Sequence, residues 1–126
     1  MPSKELKMPF KKRLNYMLEQ IPGALGAIIA DWEGEAVDQV AVMDDYDIKI
    51  LGAYKGIILT RLREALDRVE GGELEEIMIR SDQNHTLVTP VTEDYFLVLT
   101  LSSETMLGRA SFELRRCAAL LRDEIT

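Results

Sequence analysis

Apolar positions along the chain change period several times, and each change marks an element. Phe10, Leu14, Met17, Leu18 and Ile21 recur at three- and four-residue intervals and form one stripe of a helix. Pro9 suits an early helical position, so the helix is expected to begin near it, with residues 1–7 disordered. Pro22-Gly23 ends it. The run Ala24–Ala30 is then apolar throughout, and Ala36–Val42 is a second extended run. Between them Asp31-Trp32-Glu33-Gly34 reads as the turn of a hairpin, with Gly34 supplying the backbone freedom of a tight reversal. A long helical pattern occupies about Asp45 to Val69. Asp44, Asp45 and Asp47 favour its start as caps and by opposing the positive end of the helix dipole, and Gly71-Gly72 stops it. Three extended runs follow, Glu73–Arg80, His85–Val91 and Tyr95–Leu101, separated by the polar turns Ser81-Asp82-Gln83-Asn84 and Thr92-Glu93-Asp94. A last helix is expected from near Glu104, capped by Ser103. Its apolar face is Met106, Leu107, Ala110, Leu114, Cys117, Ala118, Leu121 and Ile125.

The predicted order is α-β-β-α-β-β-β-α, an α/β (α+β) sandwich on an antiparallel sheet. Ala24–Ala30 and Tyr95–Leu101 are apolar on both faces, as central strands covered by helices on both sides should be. Ala36–Val42 carries Asp38 and Gln39, which suits an edge. A chain of 126 residues that is 47% hydrophobic fits one domain, 1–126, with one core.

The long middle helix carries more apolar surface than one core face needs. Ile48, Leu51, Ile58, Leu59, Leu62, Ala65, Leu66 and Val69 already form a complete face, while Ile50, Ala53, Tyr54 and Ile57 point elsewhere, flanked by Gly52 and Gly56. Exposed, those four side chains would form a patch of the kind that marks an interaction site. The alternative, packing beneath a loop of the same chain, needs a long loop that a compact domain has little room for. Arg61, Glu64 and Arg68 bound the patch with charge, as at an interface rim. The apolar half of Glu73–Arg80, Ile77-Met78-Ile79, would leave unpaired backbone groups beside apolar side chains if it formed the other sheet edge. Pairing across a two-fold axis protects such an edge.

The segment PGALGAIIADWEGE, the element order and the doubled face of the middle helix resemble the roadblock/dynein light-chain family. The resemblance implies a roadblock/profilin-like five-stranded sheet in the order 2-1-5-4-3, with one long helix on one face and two helices on the other. It also implies a homodimer through Ile50, Ala53, Tyr54, Ile57, Ile77, Met78 and Ile79. The expected function is that of a homodimeric regulator or scaffold binding a Ras-like small GTPase, with modulation of GTP hydrolysis within the family's range. Lys55, Arg61 and Arg63 on the helix platform are the candidate partner-binding residues, together with Trp32 at the hairpin tip. A tip tryptophan is either pinned against a neighbouring helix or exposed for a partner. The alternatives are an adaptor subunit for a motor or other assembly, and a small-molecule sensor or enzyme on a similar sandwich.

Composition narrows these readings. The formal net charge of −7 disfavours grasping a nucleic-acid backbone, which requires clustered Lys and Arg. The charge is uneven. Lys4, Lys7, Lys11, Lys12 and Arg13 crowd the N-terminal segment, whereas residues 31–47 hold seven acids and no base. If the last helix lies beside the first, Arg109, Arg115, Arg116 and Arg122 extend the basic face. No apolar run reaches the roughly 20 residues of a membrane span, and the N-terminal segment lacks the features of a secretory signal. Cys117 is the single cysteine, which suits a reducing cytoplasm and reads as a small core side chain. His85 reads as a surface histidine after a turn, and Ser81 and Asp82 as turn residues. One Cys and one His fall short of a zinc set, and neither a phosphate loop nor a calcium loop occurs. The sequence therefore predicts no catalytic residue, no cofactor and no metal site.

Overall fold

In the computed structural model, which describes residues 2–31, 36–41, 60–61, 64–65, 67–68 and 73–125, the two strands that are apolar on both faces lie side by side in mid-sheet. The elements are α1 (Pro2–Gln20), β1 (Ala24–Asp31), β2 (Ala36–Ala41), β3 (Ile77–Arg80), β4 (Asn84–Pro90), β5 (Tyr95–Ser102) and α2 (Leu107–Ile125). The five strands run in the order β2-β1-β5-β4-β3, the expected one, and every pairing is antiparallel. Residues 60, 61, 64, 65, 67 and 68 of the expected middle helix are helical.

Strand alternation sorts the core into two layers. On one face Ala27, Ile29, Leu87, Leu97, Leu99 and Leu101 pack against Leu14, Met17 and Ile21 from the α1 side and Ala110, Leu114, Cys117, Ala118 and Leu121 of α2. Ile28, Ala30, Val88, Phe96 and Val98 fill the other face and are equally buried. Both full helices thus lie on one face. The expected single long helix over the other face falls mostly outside the described residues, so the three-helix arrangement is not established.

The turn after α1 depends on Gly23, whose φ of 93° lies in the left-handed region. Its carbonyl accepts the Ser102 N–H at 2.8 Å, and a Cβ there would collide with Thr105 Oγ1. Arg109 Nε donates to the Gln20 carbonyl at 2.9 Å, so α2 supplies a cation to the C-terminal end of α1.

Three boundaries differ from those expected. Helix α1 starts at Pro2 and runs through Pro9, so residues 2–7 are helical. Pro2 takes the first-turn position where a missing N–H costs nothing, and Lys4 to Met8 are good helix formers. Helix α2 starts at Leu107, not near Glu104. Ser103 caps nothing. Thr105 N–H instead bonds the Ser102 carbonyl at 3.2 Å, the first helical bond runs from Ala110 N–H to the Met106 carbonyl, and Met106 is 77% exposed. Strand β3 starts only at Ile77. In the preceding acidic stretch the Glu75 carbonyl accepts from Thr89 Oγ1 (2.7 Å) and the Glu76 carboxylate from Ser111 Oγ (2.9 and 3.0 Å).

Candidate interaction surface

Among the described strands β3 pairs only with β4 and forms one edge of the sheet. Ile77 lies opposite Val88 and Ile79 opposite Thr86, which puts both on the face away from α1 and α2. Met78 lies opposite Leu87 on the helix-covered side and is 43% exposed. The three expected interface residues therefore share one edge but divide between two faces, as the two-residue strand period requires. Ile77 and Ile79 are half-buried. Arg61 is helical and exposed. Ile50, Ala53, Tyr54, Lys55, Ile57, Arg63 and Trp32 lie outside the described residues.

The groups considered for chemistry take structural places. His85 is buried, not a surface residue. Its strand position is opposite Leu101 on the helix-covered face, and its Nε2 lies 3.1 Å from the Ser103 carbonyl. The ring ties the start of β4 to the turn before α2, and the late start of that helix is what places a carbonyl there. Ser81 Oγ donates to the Asn84 carbonyl at 2.7 Å and accepts the Asn84 N–H at 3.1 Å, so it closes the turn as expected. The Cys117 Sγ contacts the Arg13 carbonyl at 3.7 Å, and burial pushes the thiol up to about 12, with Arg13 opposing part of the effect. A thiol so protonated is a core side chain.

A cavity of about 190 Å³ opens among Phe10, Ile29, Val37, Tyr95, Glu124 and Ile125. Among its described lining residues the one charged group, Glu124, accepts from Arg13 Nε at 2.7 Å. The described lining residues do not supply the several converging polar groups of a ligand-orienting pocket.

Two exposed aromatics were not singled out by the sequence pattern. Tyr16 is 46% and Phe112 56% exposed, and the Arg116 guanidinium sits over the Tyr16 ring at 5.7 Å from its centroid. Arg116 also lies 3.8 Å from Glu113, which is buried. The available signal for Phe112 was its position: two residues from both Ala110 and Leu114, it falls off the apolar stripe of α2.

The Roadblock/LC7 domain profile matches residues 14–101. No curated protein matches the chain. Among solved structures, MglC from Myxococcus xanthus is 28% identical, with a TM-score of 0.64 over 91% of this chain and 98% of that one. The gliding protein MglB from Thermus thermophilus is 14% identical, with a TM-score of 0.85 over 94% of this chain and 90% of that one. An MglB structure with a tetrameric arrangement is 15% identical, with a TM-score of 0.86 over 94% and 89%. The profile match runs from within α1 through all five strands to Leu101, short of β5's last residue, and on that ground the chain belongs to the Roadblock/LC7 family.

Proposed function

We propose that the protein is a homodimeric regulator or scaffold that binds a Ras-like small GTPase in the cytoplasm. The observation that carries the reading is the β3 edge of a Roadblock/LC7 domain, where Ile77, Met78 and Ile79 border a strand paired on one side only among the described strands. Pairing that edge with a second copy would extend the sheet across a two-fold axis and cover its apolar side chains. Ile50, Ala53, Tyr54 and Ile57 would complete the contact from a middle helix laid over Ile28, Val88 and Val98, the sheet face that α1 and α2 leave to other parts of the chain. A specific interface of this kind buries roughly 1,200–2,000 Å² in total. The MglB neighbour with a tetrameric arrangement supports self-association.

The GTPase would sit across the dimer on the platform bearing Lys55, Arg61 and Arg63, with Trp32 as a further contact. The switch loops of small GTPases are ordered by the γ-phosphate, so a protein reading them prefers the GTP form. The test is a titration against small GTPases from the same cell, loaded with a non-hydrolysable GTP analogue or with GDP, beside sedimentation of the free protein. Preference for the analogue together with a dimer supports the reading. Equal affinity for both forms, or a monomer at tens of micromolar, overturns it. Binding to no GTPase favours the adaptor reading.

A further inference from the structure

We propose that the outer surface of the α1–α2 layer is a separate docking site for an acidic, amphipathic helical segment of a partner protein. Three observations converge on it. The first is charge. The described residues of α1 and α2 expose six Lys and Arg side chains and only two acids, Glu19 and Asp123, in a chain whose net charge is −7. A positive face on so acidic a chain is a local field that attracts anionic groups.

The second is the exposed aromatic pair. Neither Tyr16 nor Phe112 belongs to either core cluster or to the residues packed against them. Phe112 precedes Arg116 by one helical turn and so shares its face, and Arg116 in turn stacks over Tyr16. Tyr16, Arg116 and Phe112 thus form one strip that crosses from α1 to α2, with Arg115 at its side and Arg109 a turn away. Aromatic side chains interleaved with arginine are the composition of interface hot spots.

The third is extent. From Arg109 to Arg116 the strip is roughly 10 Å long, at 1.5 Å per helical residue. That length suits two turns of a partner helix and is short for the run of phosphates a nucleic acid would offer. A bilayer would also meet the net negative charge of the rest of the chain. Guanidinium groups pair with carboxylates through two parallel hydrogen bonds, which a lysine surface does less well. The partner segment would place glutamates or aspartates against Arg115 and Arg116 and one apolar side chain between Tyr16 and Phe112.

The experiment titrates full-length ¹⁵N-labelled protein with a short synthetic helical peptide that carries glutamates beside a leucine stripe. The controls are the same peptide with glutamine for glutamate, phosphatidylglycerol vesicles and duplex DNA. Saturable amide shifts confined to the outer positions of α1 and α2, and an affinity at least about tenfold lower for Arg115→Glu/Arg116→Glu and for Phe112→Ser, support the site. All three positions are exposed, and circular dichroism checks each variant. Should the double reversal fold poorly, Phe112→Ser decides alone. Absence of binding, equal binding of the glutamine peptide, unchanged affinity in the folded variants, or tighter binding to vesicles or DNA overturns it. The proposal does not depend on the GTPase reading, because the probe and the readout involve neither β3 nor the middle helix.

Discussion

At one edge of the sheet β2 presents Asp38 and Gln39, whereas at the other β3 presents Ile77, Met78 and Ile79. Asp38 is held by its own chain: Oδ1 accepts the Gln39 N–H at 2.9 Å and lies 3.8 Å from Lys11 Nζ on α1. The helix thus reaches over that edge, and a half-buried carboxylate stands where another strand would have to approach. Among the described residues β3 has no such device until Arg80. Met78 is 43% exposed, and the side chains that lead into the strand, Glu75 and Glu76, lie before it. Sheets avoid edge-to-edge association by placing charge at their borders, and an edge left apolar is open to pairing unless another segment covers it. On the proposed reading the two borders have different tasks: β2 closes its own edge, and β3 would pair with a second copy.

The largest expected effect tests that assignment directly. Ile79→Asp should dissociate the proposed dimer, lowering association at least about 100-fold if the position behaves as a central contact worth about 3 kcal/mol. Gln39→Asp at the opposite edge should leave the sedimenting mass unchanged. An equal loss at both edges would erase the distinction between them, and a dimer that survives Ile79→Asp would move the contact elsewhere.

A smaller effect separates assembly from partner binding. Arg61 is exposed on the helical middle segment, so Arg61→Glu should weaken binding of the GTP-loaded partner about tenfold while the mass of the free protein stays that of the dimer. Calorimetric titration beside sedimentation reads the two quantities independently. Loss of the dimer in this variant would merge the two surfaces into one.

Much of this architecture was legible because burial leaves a period in the sequence. The doubly apolar Ala24–Ala30 and Tyr95–Leu101 could only be central, and Asp38 could only border, so the strand order was accessible together with the family resemblance. What escaped the pattern was long-range bonding. His85 looks like a turn residue because its neighbours are polar, and only the carbonyl of Ser103, 18 residues on, makes its burial tolerable. Helix α2 starts late because Ser102 and Thr105 bond each other around Gly23, which local propensity cannot register. The strip of Tyr16, Arg116 and Phe112 was invisible for the same reason: each helix pattern reported its own core face and said nothing of how the two outer faces meet.

A third, weaker perturbation sharpens the account of the closed edge. Asp38→Val removes the carboxylate from β2 and leaves a second apolar border. The ion pair with Lys11 is solvent-exposed on the lysine side, so its loss should cost no more than about 1 kcal/mol in denaturant unfolding. The consequence should appear in association instead, as concentration-dependent species larger than the dimer in light scattering. Unchanged scattering at high concentration would mean that α1, and not the charge, closes this edge.

The smallest effect lies away from both edges, where α1 and α2 meet. Cys117 is buried there, and Cys117→Ala should cost on the order of 1 kcal/mol through the space it leaves, with dimer mass and partner binding retained. Its pH dependence has a definite sign. The folded-state value, pushed from 9.0 to about 12 by burial, lies above that of the unfolded chain. The native thiol therefore keeps its proton where the unfolded thiol loses it. Its contribution to stability is complete below pH 9.0 and declines as pH rises toward about 12. Urea unfolding at pH 8 and at about pH 10.5 should show the wild type losing more stability than Cys117→Ala over that interval, the difference isolating the thiol from the lysines and tyrosines both proteins share. Parallel losses in the two proteins would mean that the thiol ionises as readily in the folded state as in the unfolded one, and that water reaches the α1–α2 junction.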